Sequence, residues 1–312
     1  MDHLKEAPDY LQDDHLSRGT KAYLKVLNGG APVESLPVGE ARRVLADVQA
    51  AVHVDLSGIE ESERTVESEG HTLRLNLVRP SGAGRGYLPA FVFIHGGGWV
   101  LGDYPTHRRL VRDLVVESGC AAVFVNYTPS PEAHFPKAVE EVYAAVKWVA
   151  ENGREIGVDG SRLALVAEDH GGPRLRTLVL MWPVTDAGYD WDSYVKYGRQ
   201  RFLTAPLMKW MFGKYVSDPA QRGNDLMSPV RASAERLRGL PATLIVVAEN
   251  DILRDEGEAM GRRLDEAGVE VTTVRFNGVV HDWGMLNGFA ALHPTRTLIR
   301  LVGSVLRDYL EK

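Results

Sequence analysis

From residue 91 onward, short apolar runs alternate with stretches of helical periodicity, and this alternation constrains the fold more than any other feature of the chain. Phe91-Val92-Phe93-Ile94 is a run of the buried-strand kind, and residues 121–126, 163–167, 178–182, 242–248 and 269–276 repeat the type. Between these runs, Leu110, Val111, Leu114 and Val115 share one helical face within 106–119. Residues 136–152 open on a proline and end before a glycine, and 255–267 stop at Gly268. A last helix is expected over 295–310. Strands separated by helices need crossovers, which place helices against the faces of a parallel sheet. The expected fold class is therefore α/β, a mostly parallel central sheet with helices on both faces.

Upstream the pattern differs. Leu73, Leu75 and Leu77 alternate with polar residues in His71–Pro80, as in a half-buried strand. The first sixty residues read as helical. In 38–52, Ala41, Val44, Leu45, Val48 and Val52 follow helical spacing behind Pro37. Residues 187–237, rich in aromatics and Met, also fall outside the alternation. The expected organisation is a core of 61–186 and 238–312, with 1–60 and 187–237 lying over the strand ends as a helical cap.

A chain of 312 residues can bury one large core, or one core with a smaller cap. With a formal net charge of -6, nothing favours nucleic acid or an anionic membrane as partner. Cys120 is the single cysteine, which excludes an internal disulfide, and its apolar surroundings read as core. No apolar run approaches the roughly 18 residues of a membrane span. The opening Met1-Asp2-His3-Leu4-Lys5-Glu6 lacks the apolar region of a secretory signal, so a cytoplasmic location is expected. No His-x-x-x-His or His/Cys cluster has metal-ligand spacing, and no metal or cofactor is expected. A homo-oligomer is allowed but not specified.

The strongest chemical signal is His95-Gly96-Gly97-Gly98-Trp99, directly after the strand 91–94. Glycines let the backbone turn sharply and expose consecutive N–H groups, which can hold the oxyanion of a tetrahedral intermediate in acyl transfer. The segment HGGGWVLGD (95–103) resembles the oxyanion loop of bacterial hormone-sensitive-lipase-like carboxylesterases. The resemblance continues through YTPSPE (127–132), LMWPVTD (180–186), Met227-Ser228-Pro229, DILRDEG (251–257) and the segment 278–281. It implies an α/β-hydrolase fold with a helical cap, and a small-molecule ester of small or medium acyl chain as substrate. It also implies that His95, Gly96, Gly97 and Gly98 form the oxyanion loop, and that Asp251 is the acid orienting a catalytic His281. The order acid-then-His agrees with the α/β-hydrolase order. Asp255 is the better candidate for capping the following helix, which leaves Asp251 for the catalytic role. Asp282-Trp283 departs from the family, which usually has a small residue and then Phe after the histidine.

The family's Gly-x-Ser-x-Gly elbow is absent from the sequence. After Val166 the chain reads Ala167-Glu168-Asp169-His170-Gly171-Gly172-Pro173-Arg174-Leu175. In one reading, residues 169–176 correspond to the loop before the next strand, and the elbow and its helix are missing. The match of GGPRLR followed by a strand and WPVTD favours it, and so does length. Only residues 168–176 join two runs that should be parallel neighbours, whereas a crossover takes about a dozen or more. A chain break, a strained connection or a displaced strand is then expected. In the other reading, Asp169 is itself a nucleophile on an elbow like that of epoxide hydrolases and haloalkane dehalogenases. Pro173 and the nearby strand leave little room for the helix this needs. Ser130, Ser161, Ser193, Ser217 and Ser228 lack an elbow context. A non-catalytic remnant that only binds ligand is the alternative from a different class.

Overall fold

The computed structural model describes residues 5–84, 86–167 and 175–311. Among them, eight strands form one sheet in the order β1-β2-β4-β3-β5-β6-β7-β8. In sequence they are β1 (Ile59–Ser68), β2 (His71–Pro80), β3 (Leu88–Ile94), β4 (Ala121–Asn126), β5 (Val158–Ala167), β6 (Thr177–Met181), β7 (Ala242–Asn250) and β8 (Val271–Val280). The β1/β2 and β2/β4 pairs are antiparallel, and every later pairing is parallel. The sheet is therefore mostly parallel, as the alternation predicts.

The central strands are apolar on both faces because helices cover both. Phe91, Val92, Val123, Leu165, Val179 and Val246 are fully buried. Helices α3 (Tyr104–Ser118) and α9 (His293–Leu310) pack on each other and against this sheet. Helix α4 (Lys137–Asn152) packs on β5, and helix α8 (Arg254–Glu266) on β7 and β8. Asp103 caps α3: its carboxylate accepts from the Thr106 N–H, and the Thr106 hydroxyl contacts the Asp103 backbone in return.

Two helices precede the sheet, α1 (Arg18–Leu27) and α2 (Val38–Ala50). Three more lie between β6 and β7, namely α5 (Asp192–Lys196), α6 (Ala205–Tyr215) and α7 (Ala234–Leu237). The two regions are tied together. The Ala7 N–H donates to the Lys196 carbonyl, and Arg201 donates to the Pro8 carbonyl at 2.7 Å and to Asp13 at 2.6 Å. Both members of the Arg201–Asp13 pair are only 2% exposed, so each compensates the other's desolvation.

The structure corrects one expectation and rules out one of the three arrangements expected at the short junction. The N-terminal region is not helical throughout to the first strand. β1 starts at Ile59, where an edge strand with Val66 as its one buried hydrophobe has no alternation to reveal it. No strand is displaced around the short junction, since β5 and β6 pair from Ala164↔Thr177 to Ala167↔Leu180 and β6 continues onto β7. Residues 168–174, Asp169 among them, lie outside the described residues.

Candidate active site

The carboxyl ends of β3, β7 and β8 bring the sequence-predicted residues to one edge of the sheet, the edge where parallel α/β sheets bind ligands. Directly after β3, Gly97 has φ +109° and Gly98 φ +59°. A Cβ on Gly97 would stand 2.3 Å from the Leu101 carbonyl oxygen, so the turn requires glycine on two counts. The Gly97 carbonyl accepts from the Val100 and Leu101 N–H groups, which closes the turn. No described group accepts from the Gly97 or Gly98 N–H.

His95 stands behind this loop. Its ring stacks between Tyr127, at 4.3 Å, and Phe124, at 5.2 Å, while the Tyr127 hydroxyl donates to the His95 carbonyl at 2.9 Å. Burial lowers its pKa to about 4, so at neutral pH the ring is an uncharged, aromatic support. His107 lies next to it, buried and lowered to about 3, with its Nδ1 near the Asp103 carbonyl.

Asp251 leaves β7 and His281 leaves β8. The His281 Nδ1 lies 2.8 Å from Asp251 Oδ2, and both groups are buried. The other Asp251 oxygen accepts from the Leu253 N–H at 3.0 Å. Asp255 does not cap α8: Leu253 holds the cap position and Asp255 sits in the first turn. There it pairs with Arg254 and accepts from the Ser193 N–H. Orienting the turn and meeting the histidine are compatible duties, because a carboxylate has two oxygens.

Three groups that sequence reasoning missed hold these loops. The Arg42 guanidinium donates to the Val100 and Ser130 carbonyls and pairs with Glu132, fixing α2 to the segment behind the glycine loop. Gln49, at the other end of α2, donates to the Thr106 and Met285 carbonyls and accepts from the Asn287 N–H. Arg109 is buried and donates to the Gly284 and Met285 carbonyls, just past His281. Arg42 and Gln49 are two of several polar residues within a helix, and only the fold reveals what they reach. A fourth, Glu256, is fully buried and accepts from the Thr185 and Asp186 N–H groups. Its burial pushes its pKa well above the ordinary carboxylate value.

Gly97, Gly98, His281 and Asp282 open on one cavity of about 510 Å³, whose far walls include Leu45 of α2 and Met208 of α6. Trp283 is fully buried against Trp182, with ring centroids 4.7 Å apart, so the larger aromatic after the histidine packs into the core. Four of the five other serine hydroxyls considered are engaged elsewhere: Ser130 with the Ala133 carbonyl, Ser161 with Asp159, Ser193 with the Ile252 carbonyl and Ser228 with the Arg222 carbonyl.

A buried carboxylate–histidine pair beside a glycine loop, on the carboxyl edge of a mostly parallel sheet, defines the α/β-hydrolase class. A model of the α/β-hydrolase fold family matches residues 91–285. The chain is 31% identical over 295 residues to the ethyl acetate hydrolase of Pseudomonas putida, across 84% of this chain and 90% of that protein. It is 32% identical over 249 residues to the carboxylesterase NlhH of Mycobacterium tuberculosis, across 74% and 77% of the two chains. The structure of a thermostable esterase from Pseudomonas putida ECU1011 superposes with a TM-score of 0.91 at 47% identity, over 95% of this chain and 98% of that one. The chain belongs to the hormone-sensitive-lipase-like α/β-hydrolase family, whose members are carboxylic ester hydrolases.

Proposed function

We propose that Asp251, His281 and the Gly97–Gly98 N–H groups are the acid, base and oxyanion site of ester hydrolysis, with small or medium acyl esters as substrates. The observation that carries this reading is the 2.8 Å contact between buried Asp251 and His281, whose ring opens on the same cavity as the glycine turn. The Asp251 carboxylate fixes the ring with Nδ1 protonated, so that Nε2 is the basic nitrogen. His281 takes a proton from the attacking water and passes it to the leaving alcohol, while the glycine N–H groups stabilise the oxyanion. His95 and Gly96 belong to the same loop, His95 as its aromatic support.

With no serine elbow in the sequence, the nucleophile in this chain is water, and the rate is what the remaining parts sustain. Residues 1–60 and 187–237 act as the cap over the core of 61–186 and 238–312. Their mutual contacts and shared lining of the cavity support that division. Among the described residues, no helix is long and apolar enough to cross a membrane. A cytoplasmic location fits this reading.

Hydrolysis of p-nitrophenyl acetate tests the assignment. His281→Ala and Asp251→Ala should each remove most of the measurable rate, and a fluorophosphonate probe should leave the chain unlabelled. Retention of the full rate by His281→Ala would overturn the reading.

A further inference from the structure

His281 contacts a second carboxylate. Asp282 Oδ1 lies 3.7 Å from His281 Nε2, on the side of the ring opposite Asp251. Asp282 holds a left-handed backbone, φ +60°, a conformation that Asp tolerates better than most residues, and its side chain is 10% exposed. It also lines the cavity that contains Gly97 and Gly98. The Asp282 carbonyl accepts from the Met285 and Leu286 N–H groups, which closes the turn that fixes the side chain in place.

We propose that Asp282 is a positioning residue of the hydrolytic site, a second carboxylate that stabilises the imidazolium form of His281 from the Nε2 side while Asp251 does so from Nδ1. The inference rests on the reading of Asp251 and His281 as the acid–base pair. Two carboxylates pair with the ring, Asp251 on the turn after β7 and Asp282 on its own loop. Glu256 of α8 and Tyr194 of α5 act electrostatically on Asp251 or beside it. Trp182, at the end of β6, presents a ring edge to His281 and no charge. Burial and the nearby Asp251 charge disfavour the ionised form of Asp282; the His281 charge is the larger offset, and the Trp182 side chain supplies a smaller one.

The consequence has a definite sign. An imidazole flanked by two carboxylates binds its proton more tightly, so the basic form needed to activate a nucleophile appears only at higher pH. The acid form that protonates a leaving alcohol persists further into neutral pH.

The test is a proton NMR titration of the His281 ring in the full chain, in the wild type and in Asp282→Asn and Asp251→Asn. Asn keeps the shape and tolerates the left-handed backbone, and circular dichroism checks that each variant is folded. Asp282→Asn should lower the His281 midpoint by about one pH unit, a tenfold loss of proton affinity. Asp282→Gly, which relieves the backbone, should lower it by the same amount. An unchanged or raised midpoint in both Asp282 variants, with a lowered one in Asp251→Asn, would overturn this inference and leave the acid–base pair standing. No shift in any variant would overturn both.

Discussion

At Gly97 a methyl group would meet the Leu101 carbonyl oxygen at 2.3 Å, on a backbone with φ +109°. Gly239 is a useful contrast, with φ +86° and nothing within 4 Å of its would-be Cβ. Gly239→Ala should therefore cost only the backbone strain, about 1 kcal/mol, and leave ester turnover unchanged. Gly97→Ala must also move the loop, so it should cost more than that and abolish whatever turnover the chain has. Thermal melts and p-nitrophenyl acetate assays on both variants make the comparison, and equal effects at the two sites would refute it. A second residue-scale prediction concerns acid. His95 and His107 are buried with pKa values lowered to about 4 and about 3. The unfolded chain binds these protons near the ordinary histidine value, so the neutral rings contribute stability above about pH 6.5 that is lost as pH falls towards 4. The loss should be roughly 2 kcal/mol or more by pH 4, read as a falling urea midpoint. His107→Phe should flatten the profile, and an unchanged slope would show that other groups cause it.

Among the elements, α2 acts as a strut between the two loops of the site. Arg42 reaches the segment behind the glycine loop, and Gln49 reaches the segment after His281. Gln49 is 4% exposed, so Gln49→Leu would leave the carbonyls of Thr106 and Met285 and the Asn287 N–H buried without this partner. The expected cost is about 2 kcal/mol, with faster hydrogen exchange over 282–287. If exchange there is unchanged, α2 does not hold that loop. The helix itself was readable, because Ala41, Leu45 and Val48 carry its period. Its role was not, because a lone Gln or Arg says nothing about which distant carbonyls it meets. The parallel strands were readable because helices on both faces make them continuously apolar. β1 was not, because it is an edge strand whose polar side chains face water. At the site, the HGGG turn and the Asp251–His281 order were visible as chemistry with fixed local geometry. The second Asp251 bond, to the Leu253 N–H, became visible only in the fold.

On the scale of the whole molecule, the unusual feature is the return from β5 to β6. The two strands pair in register although only residues 168–176 stand between them in the sequence, where a parallel crossover normally takes about a dozen residues or more and a helix. The glycine turn, Asp251 and His281 are set on loops leaving β3, β7 and β8, on either side of β5 and β6. They do not depend on the elbow for their own positions, and a serine supplied between β5 and β6 would enter a site already arranged around it. Inserting a Gly-x-Ser-x-Gly segment with its following helix between Ala167 and Thr177 should therefore raise p-nitrophenyl acetate turnover by on the order of 10³-fold or more. It should also make the protein react with a fluorophosphonate probe. Asp169→Ala in the chain without the insertion should matter little. If that chain instead turns over the ester well, and Asp169→Ala abolishes the activity, the nucleophile is the aspartate and the water-driven reading is wrong. If the insertion folds and labels with the probe but stays slow, the fault lies in the pairing of Asp251, His281 and the glycine loop, and the His281 titration would locate it.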